Sequence, residues 1–200
     1  MIIATTLLET AHGTFSVSTH EDGTGQRCLS MSHGDLSDAG TAVRLHSSCI
    51  FGEALMATDC DCGPQLHTTM QEITKRGAGA IVYLFQEGRG AGLDLKIRGM
   101  ETQRVRGVNS YEAYASLGLG RDMRDYSVAG TALADLGMAE QVTLISNNPL
   151  KRQALEELGY QVESQIALSY EVSKHAYEYL LMKQVEGDHT VDFGKIKFVG

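Results

Sequence analysis

The sequence has no tryptophan, only two prolines and only four cysteines among 200 residues. It also lacks any apolar run near the roughly 20 residues that a membrane-spanning helix needs. The first ten residues contain no basic segment and already include Glu9, unlike a secretory signal peptide. Four cysteines, three of them clustered, do not form a disulfide framework. We therefore expect a reducing, cytoplasmic location and no membrane partner.

Positive charge is also scarce, since the formal net charge is −8. This balance argues against general nucleic-acid binding, which requires a positive field. The basic residues are concentrated between Arg89 and Arg124. A basic segment in an acidic protein suits a small anionic substrate, although a solvated helix surface gives the same pattern.

The order of the patterns predicts an α/β protein. Alternating, turn-rich segments before residue 44 indicate short strands. Amphipathic helices and short apolar strands then alternate between residues 64 and 183. We predict a mixed sheet flanked by helices, with a β-rich N-terminal section, in a single domain. Its expected parts are a β-rich section (about 1–43), a catalytic core (44–185) and a tail without an interpretable pattern (186–200).

Several elements have predictable bounds. Pro149 in the first turn of a helix, with Asn148 as N-cap, predicts a helix that ends at Gly159. The other predictions are a helix from Pro64 to Gly77, strands at 80–85, 142–145 and about 160–168, a glycine-rich loop at 86–92 followed by a mostly helical stretch to about 104, a helical stripe at 128–136, and a last helix at about 171–183.

Cys49, Cys60 and Cys62 form the pattern that is most informative about chemistry. Three thiolates at this spacing can converge on one zinc ion and leave a fourth position open, as in catalytic zinc sites. Burial as small core residues is the alternative, but the polar residues around Cys60 and Cys62 favour metal. His46 is a further candidate for the fourth ligand.

Four other polar segments have both a functional and a structural interpretation. Each could bind phosphate through backbone N–H groups, hydroxyls or guanidinium groups. Each could equally be a turn, a helix cap or an exposed helix start. The segments are 44–48, 86–92, 122–125 and 146–151.

Taken in order, these segments resemble GTP cyclohydrolase II, the enzyme that opens the guanine ring at the start of riboflavin synthesis. The matching motifs extend from residue 44 to residue 151. They are Arg44-Leu-His-Ser-Ser-Cys49, Gly52-Glu-Ala-Leu55, Asp59-Cys-Asp-Cys-Gly63 with Gln65, Gln86-Glu-Gly-Arg-Gly-Ala-Gly-Leu93, Lys96-Ile-Arg98, Leu117-Gly118, Asp122 with Arg124-Asp-Tyr126, and Ser146-Asn-Asn-Pro149 with Lys151.

The resemblance implies roles for these residues. Cys49, Cys60 and Cys62 would hold zinc for attack of water at C8 of guanine. Arg124 would take part in attack at the α-phosphate, releasing pyrophosphate, with Asp122 as its proton acceptor. GTP as the ligand, Mg²⁺ on the triphosphate and a homodimer are also implied. The implied nucleotide contacts are Arg44, Leu45, His46, Ser47, Ser48, Gln65, Glu87, Gly88, Arg89, Ser110, Ser146 and Lys151.

Three positions depart from the family pattern. Ser48 stands where the family usually has Glu, and Glu53 where it usually has Asp. Met100 replaces a family tyrosine, and a thioether cannot donate a proton as a phenol can. We therefore expect ring opening and pyrophosphate release, with removal of the formyl group impaired. The alternative is a tolerated methionine, with a nearby phenol substituting for the missing one; the candidates are Tyr111, Tyr114 and Tyr126.

Other functions remain as alternatives. A zinc nucleobase deaminase is disfavoured, because its H/C-x-E and P-C-x-x-C signature is absent. A ring-opening enzyme for another nucleotide or base is harder to separate from the first prediction. A non-catalytic zinc- and nucleotide-binding homologue is the alternative from outside enzymology.

Overall fold

The computed structural model describes residues 1–198, which form a seven-stranded mixed sheet with helices on both faces. The order across the sheet is β1-β2-β3-β5-β4-β6-β7. The first three strands and β5 pair antiparallel, whereas β5, β4, β6 and β7 pair in parallel. The strands are β1 (Ile2–Thr10), β2 (Gly13–Glu21), β3 (Arg27–His33), β4 (Thr41–Ser47), β5 (Gly79–Leu84), β6 (Gln141–Ile145) and β7 (Gln161–Ile166).

Seven helices and a second, two-stranded parallel sheet complete the described chain. The small sheet joins β8 (Tyr170–Val172) to β9 (Ile196–Phe198). No helix within residues 1–198 is long and apolar enough to cross a membrane. The helices are α1 (Ile50–Glu53), α2 (Cys62–Arg76), α3 (Leu93–Arg106), α4 (Ser110–Ser116), α5 (Ser127–Asp135), α6 (Pro149–Glu157) and α7 (Lys174–Glu186), with a 3₁₀ turn at Glu87–Gly90.

The two faces of the large sheet bury separate apolar clusters. Leu45 and Leu144 lie in the cluster beneath α5 and α6. Ile81 and Ile145 lie in the opposite cluster, with Ile73 of α2. The central parallel strands are therefore apolar on both sides, which explains why their sequences read as continuous apolar runs rather than alternating ones.

The connections create a crevice at one end of the sheet. The chain leaves β4 through α2 to reach β5 on one side, and later returns to β6 on the other side of β4. The loops that follow β4 and β6 therefore diverge to opposite faces. Open α/β sheets bind ligands at this kind of strand-order reversal, outside the carboxyl ends of the strands.

The predicted fold class is confirmed, with local differences in its elements. The last helix begins at Lys174 rather than near 171, because β8 occupies the preceding residues and the Ser173 hydroxyl caps the helix. Helix α4 was not predicted from the sequence, although Asn109 and Glu112 form a capping box at its start. Residues 187–198 of the predicted tail contain β9 and buried side chains, and residues 199–200 lie outside the described part of the chain.

Candidate metal centre and anion-binding pocket

One large pocket, of about 1010 Å³, lies at the carboxyl ends of β4, β5 and β6. Its wall is formed by the cysteine loop after β4, the glycine-rich loop after β5, the turn between β6 and α6, and helices α3, α4 and α7. The volume is at the upper end of the range for ligand sites, roughly 300–1,000 Å³. A substrate of nucleotide size fits this space.

The three predicted cysteines meet at one side of the pocket. Their sulfur atoms all lie within 4.8 Å of one another, and the Cys49 and Cys60 sulfurs are 3.8 Å apart. Tetrahedral zinc with Zn–S bonds of about 2.3 Å requires sulfur–sulfur distances of about 3.8 Å. Hydrogen bonds from the thiols of Cys60 and Cys62 lower the pKa of Cys49. The fourth cysteine, Cys28, is fully buried in the core and does not belong to this cluster.

A lysine of α3 contacts one thiol of the cluster directly. Lys96 Nζ donates to Cys49 Sγ at 3.1 Å and to Glu87 Oε1 at 2.5 Å. The second oxygen of Glu87 accepts from the backbone N–H of Ile50 at 2.9 Å. The glycine-rich loop is thus tied to the cysteine loop, and a cation lies beside a thiolate ligand.

A chain of hydrogen bonds supports the cysteine loop from below. Glu53 accepts from the backbone N–H of Cys49 at 2.9 Å, from His46 Nε2 at 2.9 Å and from the Tyr83 hydroxyl at 2.5 Å. Arg44 Nε donates to His46 Nδ1 at 3.0 Å. Burial raises the pKa of Glu53 to about 7. Both ring nitrogens of His46 therefore have protein partners, and His46 is not available as a fourth metal ligand in this structure.

The residue between the paired cysteines is anchored in the same way. Asp61 is fully buried, and its carboxylate accepts from Lys183 Nζ at 3.0 Å and from the Tyr170 hydroxyl at 2.8 Å. The Gln65 amide donates to the same carboxylate and also to the Tyr170 hydroxyl. The ion pair with Lys183 and these hydrogen bonds keep the pKa of Asp61 low despite its burial.

Buried basic side chains also line the pocket. Lys151, in the first turn of α6, is only 7% exposed, and burial beside Arg44 and Arg124 holds its pKa well below the usual range. Asn148 caps α6 through Oδ1, whereas its buried Nδ2 has no partner within residues 1–198. A helix N-terminus, an unpaired amide donor and a cluster of cations together form an anion-binding site.

The glycine-rich loop presents one more cation to the pocket. Arg89 has a left-handed backbone (φ 58°), which non-glycine residues rarely adopt. Its Nη2 donates to Ser110 Oγ at 2.9 Å, and its guanidinium stacks 3.9 Å from the centre of the Tyr111 ring. Its buried Nη1 has no partner in the described chain. The strained conformation and the unpaired donor are typical of a residue that is held ready for a ligand.

Asp122 and Arg124 form an ion pair with several hydrogen bonds. The Nε of Arg124 donates to the two Asp122 oxygens at 2.8 and 3.1 Å, and a further hydrogen bond joins Nη2 to Oδ2. Arg124 lines the pocket, whereas Asp122 lies behind it. The pairing raises the pKa of Arg124 and lowers that of Asp122. The carboxylate therefore orients the guanidinium toward the pocket.

Met100 lies on the pocket-facing side of α3, one helical turn after Lys96. Tyr111 and Tyr114 line the same pocket, whereas Tyr126 does not and its hydroxyl is buried. Met100 thus lines the cavity on the same helix face as Lys96, which contacts Cys49.

Most of the predicted site residues lie in this pocket. Leu45 is the exception among the expected nucleotide contacts, because its side chain is fully buried in the core under α5 and α6. The sequence did not identify the contributions of Lys183 and His189, which come from α7 and the segment after it. The predicted residues that line the pocket are Arg44, His46, Ser47, Ser48, Cys49, Cys60, Cys62, Gln65, Glu87, Gly88, Arg89, Met100, Ser110, Arg124, Ser146 and Lys151.

The fold and the pocket define an α/β protein with a three-thiolate cluster and an anion-binding site in one cavity. The family model described as GTP cyclohydrolase II matches residues 2–167. A curated GTP cyclohydrolase-2 of Shewanella amazonensis is 41% identical over 191 residues, which cover 94% of this chain and 92% of that protein. A second, of Shewanella oneidensis, is 40% identical over 191 residues, covering 94% and 93%. The chain belongs to the GTP cyclohydrolase II family, and the predicted family and hydrolase type are confirmed.

Similarity to a solved structure is much weaker. The two-domain 3,4-dihydroxy-2-butanone 4-phosphate synthase RibBX of A. baumannii matches with a TM-score of 0.45 and 20% sequence identity. The match covers 84% of this chain and 40% of that chain. The chain thus spans less than half the length of that protein, and a likeness this distant carries no functional inference.

Proposed function

We propose that this protein binds zinc through Cys49, Cys60 and Cys62 and hydrolyses the imidazole ring of GTP at C8, with release of pyrophosphate. The observation that carries the proposal is the presence of the thiol cluster and of a buried lysine, Lys151, in one cavity of nucleotide size. The GTP cyclohydrolase-2 relatives support GTP as the substrate.

The donor set fits zinc, since three thiols lie within 4.8 Å of one another, and three thiolate ligands would leave one position of a four-coordinate zinc ion for water or substrate. A zinc ion held there would activate water for addition to C8 of the guanine. Lys96 hydrogen bonds to Cys49 and offsets part of the negative charge of three thiolates. Glu53 fixes the backbone of Cys49 through its N–H, which holds that thiol in place.

The cation cluster would hold the phosphates. Lys151, Arg44 and the N-terminus of α6 provide positive potential, and no ion pair within residues 1–198 involves Lys151 or Arg44. Arg124 would clamp the α-phosphate, because its pKa is raised and Asp122 binds it through two oxygens. A guanidinium kept this firmly protonated is a poor nucleophile, so we assign Arg124 to charge stabilisation and Asp122 to its orientation. Mg²⁺ on the triphosphate and a homodimer, both implied by the family resemblance, are also part of the proposal.

We further propose that the reaction stops at the formamidopyrimidine ribosyl 5′-monophosphate. Met100 cannot donate a proton or orient water at the formamide as a phenol could. We assign the first ring opening to the thiol cluster and the cations, which are present without this group. The alternative is complete hydrolysis to 2,5-diamino-6-ribosylamino-4(3H)-pyrimidinone 5′-phosphate with release of formate, and Tyr111 or Tyr114 in the pocket would then provide the phenol.

The test incubates zinc-loaded protein with GTP and Mg²⁺ and measures pyrophosphate, formate and product mass together. We expect one pyrophosphate per GTP, a product that retains the formyl group, and no stoichiometric formate. Met100→Tyr should gain formate release, whereas the matched control Met100→Leu should behave like the wild-type protein. Formate equal to pyrophosphate in the wild-type protein would refute the partial reaction. Zinc binding without GTP turnover would instead support a nucleotide-binding homologue without catalysis.

A further inference from the structure

Helix α7 connects the C-terminal part of the chain to the cysteine cluster. Its Lys183 forms an ion pair with Asp61, which stands between Cys60 and Cys62. The two partners are 122 residues apart in sequence. Asp61 is completely buried, so its charge has no access to solvent.

The buried carboxylate of Asp61 depends on Lys183. An isolated carboxylate in a protein interior is costly unless it is paired and hydrogen bonded. Tyr170 and Gln65 supply neutral donors, and within residues 1–198 Lys183 is its only ion-pair partner. Removal of this lysine would leave a buried charge between two metal-ligating residues.

The position of Lys183 is determined by the packing and hydrogen bonding of α7. Leu180 and Ala176, on the inner face of α7, are buried in a cluster with Tyr170 and Val172 of β8. The C-terminal end of the helix is tied across the pocket, where Asn109 Nδ2 donates to a carboxylate oxygen of Glu186 at 2.8 Å. Apolar packing and a hydrogen bond at the C-terminal end of α7 therefore place the ammonium group of Lys183.

We propose that Lys183 is a positioning residue for the metal centre, an inference that rests on the proposed zinc binding by Cys49, Cys60 and Cys62. Through Asp61 it fixes the backbone that carries Cys60 and Cys62, and it places a positive charge near their thiolates. Residues that do not bind the metal but hold its ligands in place typically contribute about 10- to 100-fold to metal affinity or activity. Lys96 hydrogen bonds to Cys49. One lysine therefore supports Cys49, and another, Lys183, supports Cys60 and Cys62 through Asp61.

The alternative role for Lys183 is a direct phosphate contact, since the residue also lines the pocket. The two roles give different measurements. A positioning residue affects the metal in the absence of nucleotide, whereas a phosphate contact affects only the KM for GTP and leaves the metal unchanged.

The experiment measures zinc dissociation constants by competition with a chromophoric chelator, together with the thiolate-to-cobalt absorption bands of Co²⁺-substituted protein. For Lys183→Met we expect a zinc dissociation constant about 10- to 100-fold higher than that of the wild-type protein and altered cobalt bands. Lys183→Arg should restore most of the affinity. The matched control is Lys174→Met, which removes an exposed lysine from the same helix and should leave both readouts unchanged.

A second variant covers the case in which Lys183→Met does not fold. Asp61→Asn combined with Lys183→Met removes both charges and leaves no unpaired ion, and it should still bind zinc more weakly. Wild-type zinc affinity and cobalt bands in folded Lys183→Met or in the double variant, with at most a higher KM for GTP, would overturn the inference while the proposed function stands. A wild-type protein that binds no zinc would overturn both.

Discussion

Lys151 offers the sharpest test of the anion-binding pocket, because the structure predicts opposite effects on stability and on function when it is replaced. The ion pairs of the pocket join Lys96, Arg124 and Lys183 to carboxylates. Within residues 1–198, no ion pair involves Lys151, which is buried at the N-terminal end of α6. A cation is also unfavourable at this end of a helix.

The variant Lys151→Met should therefore make the ligand-free protein more stable. Burying a polar group without a partner costs about 1 to 3 kcal/mol in proteins, and methionine has a similar length without this cost. Because burial lowers the pKa of Lys151 in the folded state, the wild-type protein binds fewer protons than its unfolded chain at intermediate pH. Its stability should rise as the pH increases toward the unfolded lysine value of about 10.5, and the advantage of the variant should shrink accordingly.

Binding should change in the opposite direction. A hydrogen bond to a charged group contributes roughly 1.5–3 kcal/mol, so the KM for GTP should rise by about 10- to 100-fold in Lys151→Met. Urea unfolding at pH 7 and pH 9.5, at fixed free zinc and with and without pyrophosphate, measures the first effect. Steady-state pyrophosphate release measures the second. Lys174→Met, which removes an exposed lysine, is the control and should change neither.

A variant that is less stable than the wild-type protein would show that Lys151 has a compensating partner in the folded state. An unchanged KM would show that the cation cluster does not hold the phosphates. Either result refutes the reasoning from uncompensated buried charge.

Two further predictions concern the metal and the glycine-rich loop. Removal of zinc by a chelator should make the thiols of Cys49, Cys60 and Cys62 reactive toward a thiol reagent. Cys28 should stay unreactive, because burial raises its pKa to about 11. Four reactive thiols in folded protein would contradict this prediction. Gly90→Ala should lower pyrophosphate release by more than it lowers zinc affinity, because the new Cβ would lie 2.5 Å from the Met123 carbonyl oxygen next to Arg124. Gly118→Ala is the control, since Gly118 also has a positive φ but has open space around it. Equal losses of pyrophosphate release in both variants would show that backbone strain alone explains the effect.

The sequence predicts the parts of the site that depend on local patterns. Cys60 and Cys62 flank one residue in a polar turn, and this spacing indicates a metal site without knowledge of the fold. Asn148 and Pro149 predict the start of α6 through backbone chemistry that acts over a few residues, and Asn148 does cap this helix. The alternation of strands and helices predicts the fold class because each element is recognised from its own local pattern.

Charge compensation, by contrast, could not be read from the sequence. Nothing local distinguishes Lys183 from the exposed Lys174 of the same helix, because its pairing with Asp61 depends on how α7 packs on β8. The burial of Lys151 likewise depends on how tertiary packing brings the start of α6 close to Arg44 and Arg124. For His46 the sequence left ligation open as an alternative, and the fold decides it by directing both ring nitrogens to Arg44 and Glu53.

The pocket contains two groups of charges, and the folded chain offsets only one of them. Three thiolates with one zinc ion would carry a net charge of about −1, which Lys96 and Lys183 are placed to offset. Lys151, by contrast, lies beside Arg44 and Arg124, which lower its pKa, and no ion pair within residues 1–198 involves it, so a bound anion would stabilise its protonated form. A nucleoside triphosphate has its base and its phosphates at opposite ends, and the proposed orientation places C8 at the thiolates and the phosphates at the cations. The same uncompensated charge that costs stability in the free protein would therefore fix the orientation of the substrate.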